Sequence, residues 1–416
     1  MPDIFNGTID EKIWDSFNGI ALVIDDKVDG DNDKITDIVS QLNALNIPLL
    51  TYKQIPSNDT IKHLRGISFV ILDWKLQLLD DADKEAGVTL PESAYLDNNV
   101  EFIKQVQLNL QCPIFIISNE SSDGIRSFLK DKNLIYEGKP NFIFVADKGV
   151  NIKKSIVEWT KESAVIYTLK TFSHSLFNAC NETFLSLYTI SAEWPNIFFS
   201  TSEADKVDFS YDMLNLISAN IKSRMKFNLE TSYFKNIAQV AEDSHSEEGK
   251  KRPREIKKDI SQLVAARTFL AKDFLPSGEV YAGDIFLIDG HYYINIRPTC
   301  DSIRGEELYL LEGSIVPAPN SNKKWKEDYN ESHEHNGYLV LCCHESKHIK
   351  FQFKIITTKP TREILPHRIG RLLHPYITDL QRHFANYISR PGVYRKLGFK
   401  MLYGEAQEDS KEDTFQ

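Results

Sequence analysis

The chain has 416 residues, which is enough for two or three domains at the usual size of about 150 residues each. Its 49 Lys and Arg against 59 Asp and Glu give a formal net charge of −10 at pH 7, which argues against a general electrostatic binder of nucleic acid or anionic lipid. With 42% hydrophobic and 26% charged residues, the composition is that of a globular protein and excludes disorder of the whole chain.

We expect neither a membrane span nor a secretory signal. No apolar run reaches the roughly 18 residues that a span needs, and acidic residues interrupt the first stretch, MPDIFNGTIDEK. The five cysteines are odd in number and scattered, which does not suit a disulfide framework. A reducing cytoplasm is therefore the predicted compartment.

Between residues 20 and 165, short apolar runs alternate with stretches of helical period. Five runs are nearly continuous in apolar residues, as strands buried on both faces are: residues 20–24, 47–52, 67–73, 113–117 and 142–146. Two intervening stretches carry apolar residues at helical spacing, with Ile35, Ile38 and Leu42 in the first and Val100, Ile103 and Val106 in the second. The alternation predicts a doubly wound parallel sheet with helices on both faces.

Polar side chains follow these predicted strands at their carboxyl ends, where such sheets gather their chemistry. The first strand runs into Asp25 and Asp26, the third ends at Asp73, the fourth is followed by Ser118, and the fifth by Asp147 and Lys148. Three carboxylates brought together repel one another unless a cation lies among them. A hard divalent ion with oxygen ligands, most simply Mg²⁺, is the predicted solution.

This set of residues resembles the receiver domain of two-component response regulators, over residues 18–165. The resemblance implies a flavodoxin-like (βα)5 fold in which Asp25 and Asp26 are the acidic pair that holds Mg²⁺. Asp73 joins them as a ligand, and the backbone carbonyl of Lys75 completes the metal shell by analogy.

The resemblance also assigns roles in phosphoryl transfer. Asp73 is the implied phosphoacceptor, Ser118 the hydroxyl that hydrogen-bonds the phosphoryl group, and Lys148 the cation that pairs with it. Two positions depart from the family pattern. Val145 stands where an aromatic residue is expected, and Gly149 stands where the family usually has Pro. A degenerate receiver kept for protein contacts is therefore an alternative.

Helical patterns dominate the next stretch. A continuous helix is predicted over residues 152–190, and it would transmit the state of the receiver to the output half. Further helices are predicted at 208–227, 232–242 and 256–271, with a polar hinge or exposed loop at 244–258. The predicted division is a receiver-like domain at 1–165, a helical connector at 166–275, an α+β domain at 276–400 and a disordered acidic tail at 401–416.

From about residue 279 the period switches to two. A β-hairpin is predicted to turn at Asp289 and Gly290, and further strands at 307–315, 338–343 and 349–356 would complete a small antiparallel sheet or barrel. A final helix is predicted over 364–389, with a locally basic face. The stretches GRLLHPYITDLQRHFANYISRPGVYR and GDIF…YYINIRPTCD are similar to an uncharacterised effector region that accompanies divergent receivers in bacteria, a resemblance that implies no chemistry.

Other motifs in this half carry weaker signals. His and Cys residues crowd between 333 and 348, but their spacing fits no zinc pattern, so a packed strand with a polar turn is favoured over a metal site. His174, in a predicted helix, has no acidic neighbour after it, and an exposed or capping role is favoured over phosphoryl relay. No DNA-reading helix-turn-helix, P-loop, G-x-S-x-G or H-E-x-x-H motif is present in the sequence.

The predicted function is that of an atypical cytoplasmic response regulator. Asp73 would be phosphorylated, with Mg²⁺, by a sensor histidine kinase or another protein with a kinase-type ATP-binding domain, and the C-terminal half would signal by protein contact. Binding to nucleic acid or membrane is not expected, and a homodimer stays open. The alternatives are a receiver-gated effector enzyme, such as a nuclease, and a pseudo-receiver scaffold that works without phosphorylation.

Overall fold

The computed structural model describes residues 8–28, 30, 34–76, 92–110, 112–136, 141–205, 207–234, 252–276, 278–317 and 336–389. The chain divides into two compact units. The first comprises residues 1–199 and 210–236, and the second comprises residues 200–209 and 237–416. Among the described residues, no helix combines the length and the apolar character that crossing a membrane requires. The predicted domain boundaries at residues 165, 275 and 400 stay predictions.

The first unit is built on a parallel five-stranded sheet in the order β2-β1-β3-β4-β5. Its strands are β1 (Ile20–Ile24), β2 (Leu49–Tyr52), β3 (Ile67–Asp73), β4 (Ile114–Ser118) and β5 (Ile143–Asp147). This is the flavodoxin-like order, in which β1 and β3 flank the topological switch point. The predicted fold class is confirmed, and so are the five predicted strands, to within two residues at each end.

Helices cover both faces of this sheet. They are α1 (Ile9–Asp15), α2 (Lys34–Ala44), α3 (Asn58–His63), α4 (Glu92–Asn109), α5 (Ser122–Asp131) and α6 (Ile152–Lys161). Because side chains alternate along a strand, Val23 and Phe69 pack into the core beneath α1, α2 and α6, while Leu22 and Val70 pack into the core beneath α3, α4 and α5. Burial on both faces explains why the strands read as unbroken apolar runs.

The predicted continuous helix over residues 152–190 is wrong, because α6 ends at Lys161 and a new helix, α7 (Ala164–Tyr188), follows. Ser163 has extended backbone angles, and its hydroxyl accepts a hydrogen bond from the amide of Ile166 at 3.4 Å. Serine favours this capping position over the interior of a helix, which accounts for the break.

Two helices follow α7: α8 (Trp194–Ala204) and α9 (Phe209–Arg224). The second of them confirms the helix predicted at residues 208–227. The helix predicted at 232–242 falls almost wholly on residues outside the described ranges; its first described part is the end of a 3-10 turn, Thr231–Tyr233.

The second unit contains an antiparallel seven-stranded sheet in the order β10-β11-β9-β8-β7-β12-β6. Its strands are β6 (Phe269–Ala271), β7 (Asp284–Ile288), β8 (His291–Asn295), β9 (Glu307–Val316), β10 (Gly337–Val340), β11 (His348–Pro360) and β12 (Arg368–Leu372). The helices are α10 (Arg252–Thr268), α11 (Thr299–Arg304), α12 (Thr361–Ile364) and α13 (Tyr376–Ile388). The predicted hairpin is confirmed: β7 and β8 pair antiparallel, and Asp289 and Gly290 both have positive φ, as a type I′ turn requires.

The predicted final helix over residues 364–389 is wrong in its first half, where β12 lies instead. The locally basic helix face is also wrong there, because Arg368 and Arg371 lie on this strand and pair with the fully buried Asp284 of β7. Two prolines, Pro366 and Pro375, flank the strand and interrupt any long helix. Only the later part of the predicted helix is present, as α13.

Candidate functional site

Three carboxylates meet at the carboxyl edge of the parallel sheet. Asp25 and Asp26 follow β1, and Asp73 is the last residue of the neighbouring strand β3. Each of the three offers a carboxylate oxygen, and these oxygens lie within 4.8 Å of one another. Asp25 and Asp73 are buried, whereas Asp26 is partly exposed. The structure therefore brings together the three acidic side chains that the strand-end positions singled out.

Lys148 lies between two of these carboxylates. Its Nζ donates to Oδ2 of Asp25 at 2.9 Å and to Oδ2 of Asp73 at 3.0 Å, and its side chain is 5% exposed. Its backbone amide donates to the carbonyl of Ser118 at 2.8 Å, which ties the end of β5 to the end of β4. Asp147 points elsewhere, since its carboxylate is exposed and accepts a hydrogen bond from the Ser122 hydroxyl at 3.0 Å.

The electrostatics of the site follow from burial and mutual proximity. Burial raises the pKa of Asp73, and the charge of Lys148 opposes that shift while the charge of Asp25 adds to it. Burial also raises the pKa of Asp26, and the neighbouring Asp25 contributes in the same direction. For Lys148, burial disfavours the ammonium, but hydrogen bonds and charges from Asp25 and Asp73 outweigh it and raise the pKa.

Ser118 and Lys75 lie on the loops and strand ends around this cluster. Ser118 is buried at the end of β4, one residue beyond the position paired with Asp73, and its hydroxyl accepts a hydrogen bond from the amide of Glu120 at 3.2 Å. The backbone amide of Lys75 donates to Oδ1 of Asp73 at 3.4 Å, and its side chain forms an ion pair with Glu120. The end of β4 and the loop after β3 therefore frame the acidic cluster.

Asn99 is a further residue at this edge that the sequence interpretation missed. It lies on α4, is fully buried, and its Nδ2 donates to the backbone carbonyl of Trp74 at 2.8 Å. Trp74 directly follows Asp73, and its ring packs edge-on against Phe128 of α5 at 5.6 Å between ring centroids. Asn99 therefore ties the loop after β3 to α4. The available signal was its spacing, since it occurs four residues before the core residue Ile103 on one helix face.

The described His and Cys residues of the second unit form no group of three metal-ligating side chains. The backbone amide of Cys342 donates to Nδ1 of His348 at 3.0 Å, and burial raises the pKa of the Cys343 thiol to about 12, so this thiol stays protonated. Within the described ranges, the acidic cluster on the first sheet is the one group of three metal-ligating side chains. His333 and His335 lie outside those ranges.

His174 lies on α7 and is partly buried. Its Nε2 shares a hydrogen bond with Nδ2 of Asn178 at 3.0 Å. Burial lowers the pKa of its imidazole, which therefore favours the neutral form. This arrangement is a local helix contact.

No protein-family model and no curated protein matches the chain. Among solved structures, it is similar to a CheY-like response regulator receiver domain protein from Methanospirillum hungatei JF-1, at 14% identity and a TM-score of 0.23, covering 35% of this chain and 99% of that one. A fusion chain containing the yeast Spc42 trimeric coiled coil is also similar, at 9% identity and a TM-score of 0.24, covering 41% of this chain and 95% of that one. The parallel five-stranded sheet of the first unit fits a receiver domain.

Proposed function

We propose that the first unit is a phosphoaccepting receiver and that Asp73 is the residue that becomes phosphorylated. The observation that carries this proposal is the position of the Lys148 ammonium, hydrogen-bonded to both Asp25 and Asp73 with Asp26 beside them. A cation and a nucleophilic carboxylate held at one edge of a parallel sheet are the groups that phosphoryl transfer to aspartate needs.

Each side chain then has a defined task. A carboxylate oxygen of Asp73 attacks the phosphorus of the donor, and the bond from phosphorus to the donor's leaving atom breaks, which gives an acyl phosphate on Asp73. The phosphoryl group carries about 1.5 to 2 negative charges, and the Lys148 ammonium pairs with its oxygens. The Ser118 hydroxyl donates a hydrogen bond to the same group.

The donor set fits Mg²⁺. Three carboxylates against one ammonium leave an excess of two negative charges, and oxygen is the ligand atom that this ion prefers. Asp25, Asp26, Asp73 and the backbone carbonyl of Lys75 would hold the ion. When bound, Mg²⁺ supplies positive charge that offsets the charge of the transferred phosphoryl oxygens.

We propose that the physiological phosphodonor is a phosphorylated residue of another protein, namely a sensor histidine kinase or another protein with a kinase-type ATP-binding domain. The output would be a protein contact made by the second unit. An effector enzyme gains no support from the second unit, where the described His and Cys residues do not converge on a metal site.

The experiment is phosphorylation of the purified chain with acetyl phosphate and Mg²⁺, followed by intact mass measurement. The wild type is expected to gain one phosphoryl group and Asp73→Asn none. Asp147→Asn is the matched control, because Asp147 lies at the same sheet edge but points away from the cluster. It should be labelled like the wild type.

Two outcomes would overturn the proposal. Equal labelling of Asp73→Asn and the wild type would exclude Asp73 as the acceptor. No labelling of the wild type, under conditions that label an ordinary receiver, would favour the pseudo-receiver scaffold. In that case the ion pairs of Lys148 with Asp25 and Asp73 have a structural role alone.

A further inference from the structure

The C-terminal half of α7 buries small side chains and exposes large apolar ones. Ala179 and Thr183 are fully buried. In the same half of the helix, three large apolar side chains are exposed: Phe177 by 60%, Leu185 by 68% and Tyr188 by 86%. An amphipathic helix of a monomer normally shows the reverse arrangement, and an exposed apolar surface of this kind is typical of an interaction site.

The exposed residues follow the spacing of a coiled coil. Phe177, Asn181, Phe184 and Tyr188 recur at intervals of four, three and four residues, which is the 3.5-residue period of two helices that pair along their length. We call Phe177, Asn181, Phe184, Leu185 and Tyr188 the outer face of α7. An asparagine at a single core position of such a repeat sets register and the number of partners, because it pairs with its own equivalent.

The scarcity of charged side chains on α7 favours a second copy of this helix over a charged partner. Across the 25 residues of α7, the side chains that carry a full charge are Lys170, which is buried, and Glu182. A partner that recognises charge has little to complement here. A second copy of the same helix offers apolar side chains to apolar side chains and Asn181 to Asn181, which is the self-complementary pairing of a two-fold interface.

The available area is sufficient for a weak dimer. With about 150–250 Å² for each fully exposed aromatic side chain, the four large residues of the outer face expose about 500 Å² in one copy. Two copies would bury about 1,000 Å², the lower limit of a specific interface. We propose that the outer face of α7 binds the outer face of a second copy of this chain, about a two-fold axis near Asn181, as a reversible homodimer with micromolar affinity. This proposal does not rest on phosphorylation of Asp73.

The test is sedimentation velocity of the full chain over a micromolar concentration series. The wild type is expected to shift from the 47.8 kDa monomer to twice that mass as concentration rises. Phe177→Glu combined with Tyr188→Glu should abolish the shift, because it replaces two large apolar contacts with charges at both ends of the paired surface. Glu favours helix and both positions are exposed, so the circular dichroism spectrum should not change.

Leu108→Glu is the matched control, because Leu108 is a similarly exposed apolar residue on α4, outside the outer face. It should dimerise like the wild type. Asn181→Leu should tighten association at least tenfold or change the number of copies that associate. A wild type that stays monomeric throughout the series would overturn the proposal. Dimerisation that survives the double Glu variant, or that Asn181→Leu leaves unchanged, would place any interface elsewhere and overturn it as well.

Discussion

At the scale of single residues, Lys148 supplies the positive charge that pairs with both buried carboxylates of the acidic edge. Its ammonium offsets the repulsion between Asp25 and Asp73, both of which are removed from water. Removing one partner of a buried charged group is costly because the other partner stays buried and unpaired. The site thus depends on this lysine even before any phosphoryl group arrives.

We expect Lys148→Met to lower the free energy of unfolding of the first unit by about 3–5 kcal/mol in the presence of EDTA. Mg²⁺ should recover part of that loss, because a divalent cation replaces the missing positive charge. Urea denaturation with and without Mg²⁺ measures both effects, and Lys154→Met, at an exposed position of α6, is the control. If Mg²⁺ stabilises both variants equally, Lys148 and the ion do not share a site.

A second buried lysine lies at the opposite, amino-terminal edge of the same sheet. The Nζ of Lys170 donates to the carbonyl of Ser68 at 2.9 Å and to its hydroxyl at 3.1 Å, and it lies 4.7 Å from the centroid of the Phe17 ring. Burial lowers the pKa of Lys170 from 10.5 to about 8. The nearby Cys112 thiol, whose pKa burial raises to about 12, stays protonated over the same range.

The lowered pKa of Lys170 predicts that stability rises with pH. Below about pH 8 the folded chain must bury an ammonium, and between 8 and 10.5 the unfolded chain binds more protons than the folded one. From pH 7.5 to pH 9 the free energy of unfolding of the wild type should therefore increase by about 1 kcal/mol relative to Lys170→Met. Urea denaturation at both pH values tests this. Parallel pH profiles of the two proteins would show that Lys170 does not titrate in the folded state.

The two edges of the sheet differ in how far the sequence predicts them. Asp25, Asp26, Asp73 and Lys148 all follow recognisable strands, so their convergence follows from the parallel topology alone. The contact of Lys170 with Ser68 joins residues 102 positions apart and depends on the packing of α7, for which the sequence has no local signal. Because the sequence interpretation also missed the helix break at Ser163, it could not predict the direction of α7 relative to α6.

At the scale of elements, continuous apolar runs predicted the strands of the first unit correctly, whereas helical spacing of apolar residues predicted helix bounds less accurately. Ile369, Leu372, Ile377 and Leu380 are spaced as a helix face would be, but the first two lie on β12 and the last two on α13. Short apolar patterns fit either structure, and tertiary packing decides between them. Gly370 is the residue at which strand and helix can be distinguished, because its lack of a side chain allows β12 to approach β6 closely.

We expect Gly370→Ala to destabilise the second unit by about 1–3 kcal/mol, because the added Cβ would lie 2.1 Å from Phe269 and 2.4 Å from the carbonyl of Leu270. In the helix that the sequence favoured, the same substitution would be stabilising by about 1 kcal/mol. Gly124→Ala is the control and should show that gain, since Gly124 lies in the first turn of α5, where an added Cβ would make an ordinary van der Waals contact with Ser121 at 3.9 Å. A stabilising Gly370→Ala would contradict β12.

At the scale of the whole molecule, each compact unit has cores of its own. The parallel sheet has one cluster of buried side chains on each face, and two further clusters lie within the antiparallel unit. Chains with more than one domain depart from two-state unfolding, so we expect each unit to unfold in a cooperative transition of its own. A ligand that binds to one unit is therefore expected to raise the midpoint temperature of that unit's transition alone.

Calorimetry of the full chain should accordingly show two transitions, of which Mg²⁺ raises only the one that belongs to the first unit. At an ion concentration tenfold above its dissociation constant, the gain is about 1.4 kcal/mol. Asp26→Asn should abolish this gain yet slightly stabilise the first unit in EDTA, because it removes a carboxylate that repels Asp25. The transition lowered by Gly370→Ala identifies the second unit and serves as the internal reference. Equal Mg²⁺ shifts of both transitions, or a shift that Asp26→Asn retains, would show that the ion acts on the chain in general and not at the acidic edge of the sheet.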